Sequence, residues 1–419
     1  MWSVFGVIFV IYIFWRFVDA LGKSLPVLEL MMLIAGMQWI VGPYISYNQE
    51  ASHYKYFMYV DESTYMAYVV PAFFCFCLPL FLMLKRKIAL PSIDFLKYIP
   101  YSKILLLIGV GADVLSAVSP STLLFFLFLV SQFKFIGAIL LFFSPKKSDQ
   151  YFFYGALLYL FINALSRAMF HDLLLWSAFM FMYWSLKKVP KFKTKLILIF
   201  TGVLFAVIIQ TVKGTFRANV WGGYQGNKLE LFLDTFNEKA SSGFFEEEES
   251  TSELNVRLNQ GWIISAIMSY TPSLQPFAKG ETIIDAVVSS FLPRFLNPSK
   301  TMAGGKENFE KFTGLMLSSG TSMGISIIGE SYANFGVIKG IVFMFFWGLF
   351  MAWYWKKIIK IAYKYPLILM FLPVLFLQVV KAETELVVVL NHLIKASIVV
   401  ALFFWFARKY LNWHLRERV

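Results

Sequence analysis

Apolar residues run almost unbroken through this chain, interrupted by short polar turns, except between about Lys213 and Leu317. A bilayer crossing takes about 20 apolar residues. On that ruler the pattern predicts eleven spans, near 2–18, 26–46, 64–84, 103–119, 121–143, 150–167, 169–186, 195–212, 336–355, 366–381 and 386–406. The polar stretch 213–317 carries two short amphipathic patterns, Gly261–Tyr270 and Thr282–Leu292, which predict helices lying on the membrane surface. The expected fold is an all-α polytopic membrane protein of about 11 transmembrane helices with one large extracytoplasmic loop carrying short helices. Three regions follow: 1–212 with eight spans, the loop 213–317, and 318–419 with three spans and a basic tail.

Composition agrees with that pattern: 58% of residues are hydrophobic, 19% aromatic and only 15% charged, which excludes an ordinary soluble domain. A net charge of +13 invites a nucleic-acid partner, but the cations sit in short clusters at the ends of apolar runs. Lys85-Arg86-Lys87, Lys146-Lys147, Lys187-Lys188 with Lys191, Lys193 and Lys195, Lys356-Lys357, and Arg408-Lys409 all fall on one side if spans alternate. By the positive-inside rule that side is cytoplasmic, so the long loop faces outward and the C-terminus inward. The first apolar run has no small-residue cleavage site after it and reads as a retained span. The Tyr-rich stretch Asn48–Thr64 reads as an interfacial aromatic belt.

Several chemistries find no support. Cys75 and Cys77 point to opposite sides of a helix, so neither a disulfide nor a metal site is expected. His53, His171, His392 and His414 show no ligand spacing, and Glu246–Glu249 reads as a solvated loop rather than a calcium site. No phosphate-binding glycine loop occurs, so no nucleotide, metal or other cofactor is expected.

Cations on the outward side run against the topological bias and call for an anion. Arg167 ends the sixth span, with His171 one turn later and Asp172 beside it. Lys213 and Arg217 follow the eighth span, and Arg257, Arg294 and Lys300 lie in the loop. Guanidinium forks hold phosphate oxygens bidentately, and one anion at this depth is the diphosphate of a lipid carrier, with headgroup contact, snorkelling and loop salt bridges the other uses open to each cation. Further on, Ser318–Gly340 reads SSGTSMGISIIGESYANFGVIKG, whose small-residue spacing suits close helix packing or a re-entrant segment. Within it Glu330, flanked by Tyr332 and Asn334, is a carboxylate costly to place near a span unless paired or used.

Taken with Ser166-Arg167, Lys213/Arg217, Arg257, the run from Gly280 into PRFLNPSK, and Gly329-Glu330 with Asn334-Phe335-Gly336, the chain resembles the Wzy-type oligosaccharide repeat-unit polymerases. That family builds O-antigen, enterobacterial common antigen and related bacterial polysaccharides. The resemblance implies a multi-pass glycosyltransferase of the bacterial inner membrane that joins undecaprenyl-diphosphate-linked oligosaccharides at the outer face. It implies membrane lipids as surroundings, with a chain-length regulator and a flippase of the same pathway as partners, and no nucleic acid. Arg167, Lys213, Arg217, Arg257, Arg294, Lys300 and Tyr332 would hold the diphosphate and sugars. Glu330, with His171 second, would accept the proton of the attacking hydroxyl. Two alternatives stand beside it. An O-antigen-type ligase would carry a prominent His in the long loop, and residues 213–317 contain none. A flippase or transporter of lipid-linked sugars would use charges within spans, for which Lys134 and Lys395 are the candidates.

Overall fold

The computed structural model describes residues 1–49, 56–85, 94–241, 258–291, 305–318 and 321–416. Among these the chain is helical, with no β-strand and one isolated bridge between Leu21 and Ser24. The first helices are α1 (Trp2–Ala20), α2 (Val27–Tyr47), α3 (Glu62–Lys85) and α4 (Ile99–Ser116). Then follow α5 (Ser121–Ser131), α6 (Phe133–Phe142), α7 (Lys147–Arg167), α8 (His171–Lys188), α9 (Phe192–Trp221) and α10 (Lys228–Ser241). The later elements are α11 (Gly261–Tyr270), α12 (Glu281–Phe291), α13 (Lys306–Thr313), α14 (Ser326–Lys364), α15 (Leu372–Phe376) and α16 (Leu386–Lys409).

Helical structure is present at all eleven expected spans, but only eight helices among the described residues are long and apolar enough to cross a membrane. These are α1, α2, α3, Phe95–Ser116, Ser121–Phe142, α9, α14 and α16. α7 and α8 form as expected, yet Asp149, Gln150, Asn163 and Arg167 in the first and His171, Asp172, Lys187 and Lys188 in the second lower their hydropathy. The stretch 366–376 is a 3-10 turn followed by α15, shorter than the about 20 residues of a single-helix crossing. α9 runs on to Trp221, so Lys213 and Arg217 belong to a helix rather than to a loop. The cluster residues Arg86 and Lys87, the acidic run Glu246–Glu249, and Arg257, Arg294 and Lys300 lie outside the described residues.

The chain divides into two compact units. One gathers Met1–Trp15, Val27–Ile93 and Leu258–Val419. Its centre is α3 packed along α14, where Tyr65, Tyr68, Phe73 and Phe76 are buried. α14 is two helices: at Gly336 the backbone takes φ 69°, ψ −159°, and the chain turns back on itself. In an unbroken helix Ser331 and Gly340 would stand about 13 Å apart at 1.5 Å per residue. Here a Cβ on Gly340 would lie 3.3 Å from the Ser331 carbonyl oxygen. The short arm's last carbonyls, on Ala333 and Asn334, accept the backbone N–H groups of Ala278 and Lys279 at 3.0 Å each. The two arms pack closely at Gly340, a use that suits the small-residue spacing of this stretch.

α2 carries the second irregularity of this unit, a π-helical turn over Met37–Val41. Such a turn frees carbonyls from the helical ladder. The Gln38 carbonyl accepts the Gln260 N–H at 3.1 Å, and the Trp39 carbonyl accepts the Tyr65 hydroxyl at 2.9 Å. Side chains of the same turn reach the polar stretch before α16: Gln38 Nε2 donates to Glu383 Oε2 and Trp39 Nε1 to the Ala382 carbonyl.

The other unit gathers Arg16–Pro26 and Asp94–Arg257. α4 crosses α6 at almost no separation: a Cβ on Gly109 would sit 2.2 Å from the Lys134 nitrogen, and one on Gly137 2.5 Å from the Ser102 carbonyl. Side-chain-free surface at both crossing points therefore sets the position of Lys134 one turn from Asp113. Between α5 and α6 the helix breaks at Gln132, whose Oε1 accepts the Trp176 indole N–H at 2.9 Å.

Gly336→Ala puts a side chain on a left-handed backbone, with its Cβ 3.0 Å from the Phe277 ring. The expected cost is about 1–3 kcal/mol, read as a lower Tm of the detergent-purified protein. Gly202→Ala is the control, because no heavy atom lies within 4 Å of the added Cβ, and its Tm should stay level or rise.

Candidate functional site

In the second unit, α4, α5, α6, α7 and α8 enclose a polar cavity of about 190 Å³. Lys134 lies at its base, only 8% exposed, although it sits inside an apolar helix. An unpaired ammonium at that position would be expensive. Asp113 Oδ2 resolves it, accepting a 2.5 Å hydrogen bond from Lys134 Nζ and another at 3.0 Å from the Tyr159 hydroxyl. The Phe135 and Tyr159 rings flank the ammonium at 4.9 and 5.0 Å from their centroids, within cation–π range. Gln132, Asn163, Arg167, Asp172 and Trp176 complete the polar wall.

A second hollow, an apolar groove of about 350 Å³, meets this cavity at Lys134, Phe135 and Tyr159. The continuity is written along single helix faces. On α7, Tyr151, Gly155, Tyr159, Asn163 and Arg167 recur every fourth residue, apolar at the start and polar at the end. α4 repeats the gradient, with Leu106 and Val110 in the groove and Asp113 and Ser116 in the cavity. The result is a furrow with an apolar trough at one end and a charged head chamber at the other. The chamber sets two cations, Lys134 and Arg167, against two carboxylates, Asp113 and Asp172.

The head chamber is held open by caps on α7. Ala168 takes a left-handed conformation, φ 53°, ending that helix. Its carbonyl accepts Nε and Nη2 of Arg217 at 3.3 and 3.1 Å, while Lys228 Nζ reaches the Ser166 carbonyl at 2.8 Å. The Arg217 guanidinium also stacks on the Trp221 ring, 4.4 Å from its centroid. Phe170, Phe216 and Phe232 pack together, with ring centroids 5.6 to 6.2 Å apart, and clamp α9 and α10 on this end.

Among the residues expected to bind an anion, Arg167 therefore lines the chamber, and Arg217 holds the turn that follows it. Lys213 is half-buried one turn earlier on α9. His171 opens α8, half-buried, beside the Asp172 that forms part of the chamber wall. Arg257, Arg294 and Lys300 lie outside the described residues. Asp113 escaped the sequence reading, although one signal pointed to it. A lysine in mid-span demands an opposite charge on a neighbouring helix, and Asp113 is the acidic residue of the preceding span.

Glu330 and Tyr332 belong to the first unit. Glu330 is 2% exposed, and both of its oxygens are engaged. Oε1 accepts the Thr282 hydroxyl at 2.7 Å and Oε2 the Leu386 N–H at 2.8 Å, so the carboxylate caps the N-terminus of α16. Asn334 ties the network together, its Nδ2 donating to Thr282 Oγ1 and its Oδ1 accepting the Gly280 N–H. Glu385, 1% exposed, accepts Asn308 Nδ2 at 2.9 Å and the Gly305 N–H at the start of α13. Its carboxyl is pushed up to about 7, first by burial and then by the neighbouring Glu330 carboxylate. Tyr332 is buried between the Tyr68 and Phe277 rings at 5.1 and 6.0 Å. This network fixes helix ends, and Glu330, at 2% exposed, could accept a proton only from a group that reaches it inside the unit.

Comparison with protein-family models, curated proteins and solved structures gives no match.

Two outcomes test this geometry. Lys134→Met strands a partly buried Asp113, so it should lower stability by about 1–3 kcal/mol. The double variant K134M/D113N should lose less than the two single variants combined, in a thermal double-mutant cycle. The raised Glu385 carboxyl favours its neutral form in the fold. Its contribution is therefore full below the unfolded value of 4.5 and is lost as pH rises through about 7. Tm measured across that window should fall with rising pH in the wild type and fall less in Glu385→Gln.

Proposed function

We propose that this chain is a membrane-embedded glycosyltransferase of the repeat-unit polymerase type, acting on glycans carried by undecaprenyl diphosphate at the outer face of the bacterial cytoplasmic membrane. The observation that carries the proposal is the furrow: one apolar trough joined to one chamber that presents Lys134 and Arg167. An isoprenoid chain fits the trough, and a diphosphate would meet the Arg167 guanidinium beside the Lys134–Asp113 pair. The outward assignment of the chamber comes from the positive-inside reading of the basic clusters.

In the proposed reaction an acceptor hydroxyl attacks the anomeric carbon of the donor glycan. The carbon–oxygen bond to the diphosphate breaks, and its electron pair leaves with the phosphate oxygen. Arg167 neutralises the charge that develops there, and Lys134, held by Asp113, adds a hydrogen-bond donor in a site already arranged for it. His171, next to the chamber wall, takes the hydroxyl proton. Arg217 is a positioning residue, since it fixes the turn that follows Arg167, and Glu330 positions the segments it caps. Tyr159, exposed at the junction of cavity and groove, supplies an aromatic face against which a sugar ring stacks. The proposal extends to Lys213 as a further cation near the donor site, while Arg257, Arg294 and Lys300 lie outside the described residues.

The buried Lys134–Asp113 pair also supports a second reading, a transporter of lipid-linked sugars, because charges inside spans often mark translocation paths. Purified protein in detergent separates the two, since a transporter does nothing without two compartments. Given undecaprenyl-diphosphate-linked repeat units, the wild type should produce a ladder of longer chains on a gel. Arg167→Ala and K134M/D113N should leave single-repeat material while staying folded. No lengthening by the wild type, or full ladders from both variants, would reject the polymerase assignment.

A further inference from the structure

A separate groove of about 420 Å³ opens in the first unit between the C-terminal halves of α14 and α16 and the 3-10 turn Pro366–Phe371. Its walls are hydrocarbon: Ile358, Ile361, Ile368, Leu375, Val400 and Phe404. Polar atoms inside it are already satisfied, for Tyr354 and Ser397 share a 2.9 Å hydrogen bond. That leaves a dry trough of a size ordinary for ligand pockets, about 300–1,000 Å³. Two exposed cations stand at its mouth, Lys357 and Arg408. Among the described residues neither meets a carboxylate: Arg408 donates to the Tyr365 hydroxyl at 3.0 Å, and Lys357 lies 5.7 Å from the Trp353 ring centroid. Tyr365, over whose ring Arg408 lies, and the paired Trp405 and Tyr410 rings, 5.8 Å apart, stand beside these cations, the aromatic company expected at a membrane–water interface.

We propose that this groove is a specific binding site for one anionic glycerophospholipid. An acyl chain occupies the trough, and the phosphate sits between the Lys357 ammonium and the Arg408 guanidinium. Apolar walls alone would accept any lipid of the surrounding bilayer. The paired cations select for a net negative headgroup, because a zwitterionic lipid brings its own ammonium against them. Arg408 is already aimed, since its hydrogen bond to Tyr365 and its place over that ring, 5.7 Å from the centroid, fix the guanidinium at the rim. The site shares no residue with the furrow of the other unit and stands independently of the enzymatic reading.

The test is native mass spectrometry of the full chain after exhaustive detergent washing, with phosphatidylglycerol and phosphatidylcholine of matched acyl chains added back. The wild type should retain one phosphatidylglycerol per chain and no phosphatidylcholine. Replacing both cations, in K357A/R408A, should weaken phosphatidylglycerol binding about thirtyfold. Ala401→Trp fills the trough without changing any charge and should abolish retention as well. It also serves as the second readout if the double variant does not fold. Equal retention of the two lipids, or undiminished phosphatidylglycerol on a folded variant, would show an annular lipid layer only and overturn the proposal.

Discussion

Backbone polar groups inside a bilayer have no water to turn to, so every interrupted helix must hand its freed carbonyls and amides to another part of the protein. That constraint organises the structure. The π turn in α2 passes two carbonyls to Gln260 and Tyr65. The break at Gly336 passes two to Ala278 and Lys279. The end of α7 passes its own to Arg217 and Lys228, and the amide that starts α16 goes to Glu330. Several charges of this chain are therefore caps before they are anything else. A carboxylate at a helix N-terminus and a guanidinium at a C-terminus also complement the helix dipole, which strengthens each arrangement.

Those caps explain how the chamber in the second unit stays open. α7 stops at Ala168 with its carbonyl gripped by Arg217, and the next helix leaves in a new direction carrying His171 and Asp172. Arg167 is consequently held at the rim rather than continuing into a longer span. On the opposite wall, the contact of Gly109 with the Lys134 backbone brings the ammonium within reach of Asp113. Any side chain at Gly109 would push α6 outward and separate that pair. Close packing of small residues and the placement of charge are here one feature.

Much of the architecture was legible in the apolar runs, because a membrane helix must be apolar over a fixed length. The shortfall at α7, α8 and 366–376 has the same origin: their helices exist, but polar residues or brevity remove them from the set that composition alone identifies as spanning. Arg167 was legible because a cation at the wrong end of a span stands out. Arg217 stood out equally, yet its bond to Ala168 was not readable, since alanine gives no sign of a left-handed turn. Glu330 was marked as a carboxylate in need of partners. Those partners, Thr282 and Leu386, lie 48 and 56 residues away and are brought together only by the fold.

The gradient along the furrow bears on which function it serves. A transporter moves a polar head from one membrane face to the other and needs polar lining along the way. On α7 the residues facing the hollows change from Tyr151, Phe152 and Gly155 to Asn163 and Arg167, and on α4 from Leu106 and Val110 to Asp113 and Ser116. Both helices thus line one end with hydrocarbon and keep their charged and amide groups at the other. A diphosphate drawn to Lys134 and Arg167 would find no further acceptor of its charge along the trough, where burial of an unpaired anion costs many kcal/mol. On the polymerase proposal, such a furrow would hold its lipid-linked donor in one orientation with the head at one face. Holding rather than moving is the requirement of an enzyme that presents a fixed leaving group to a second substrate.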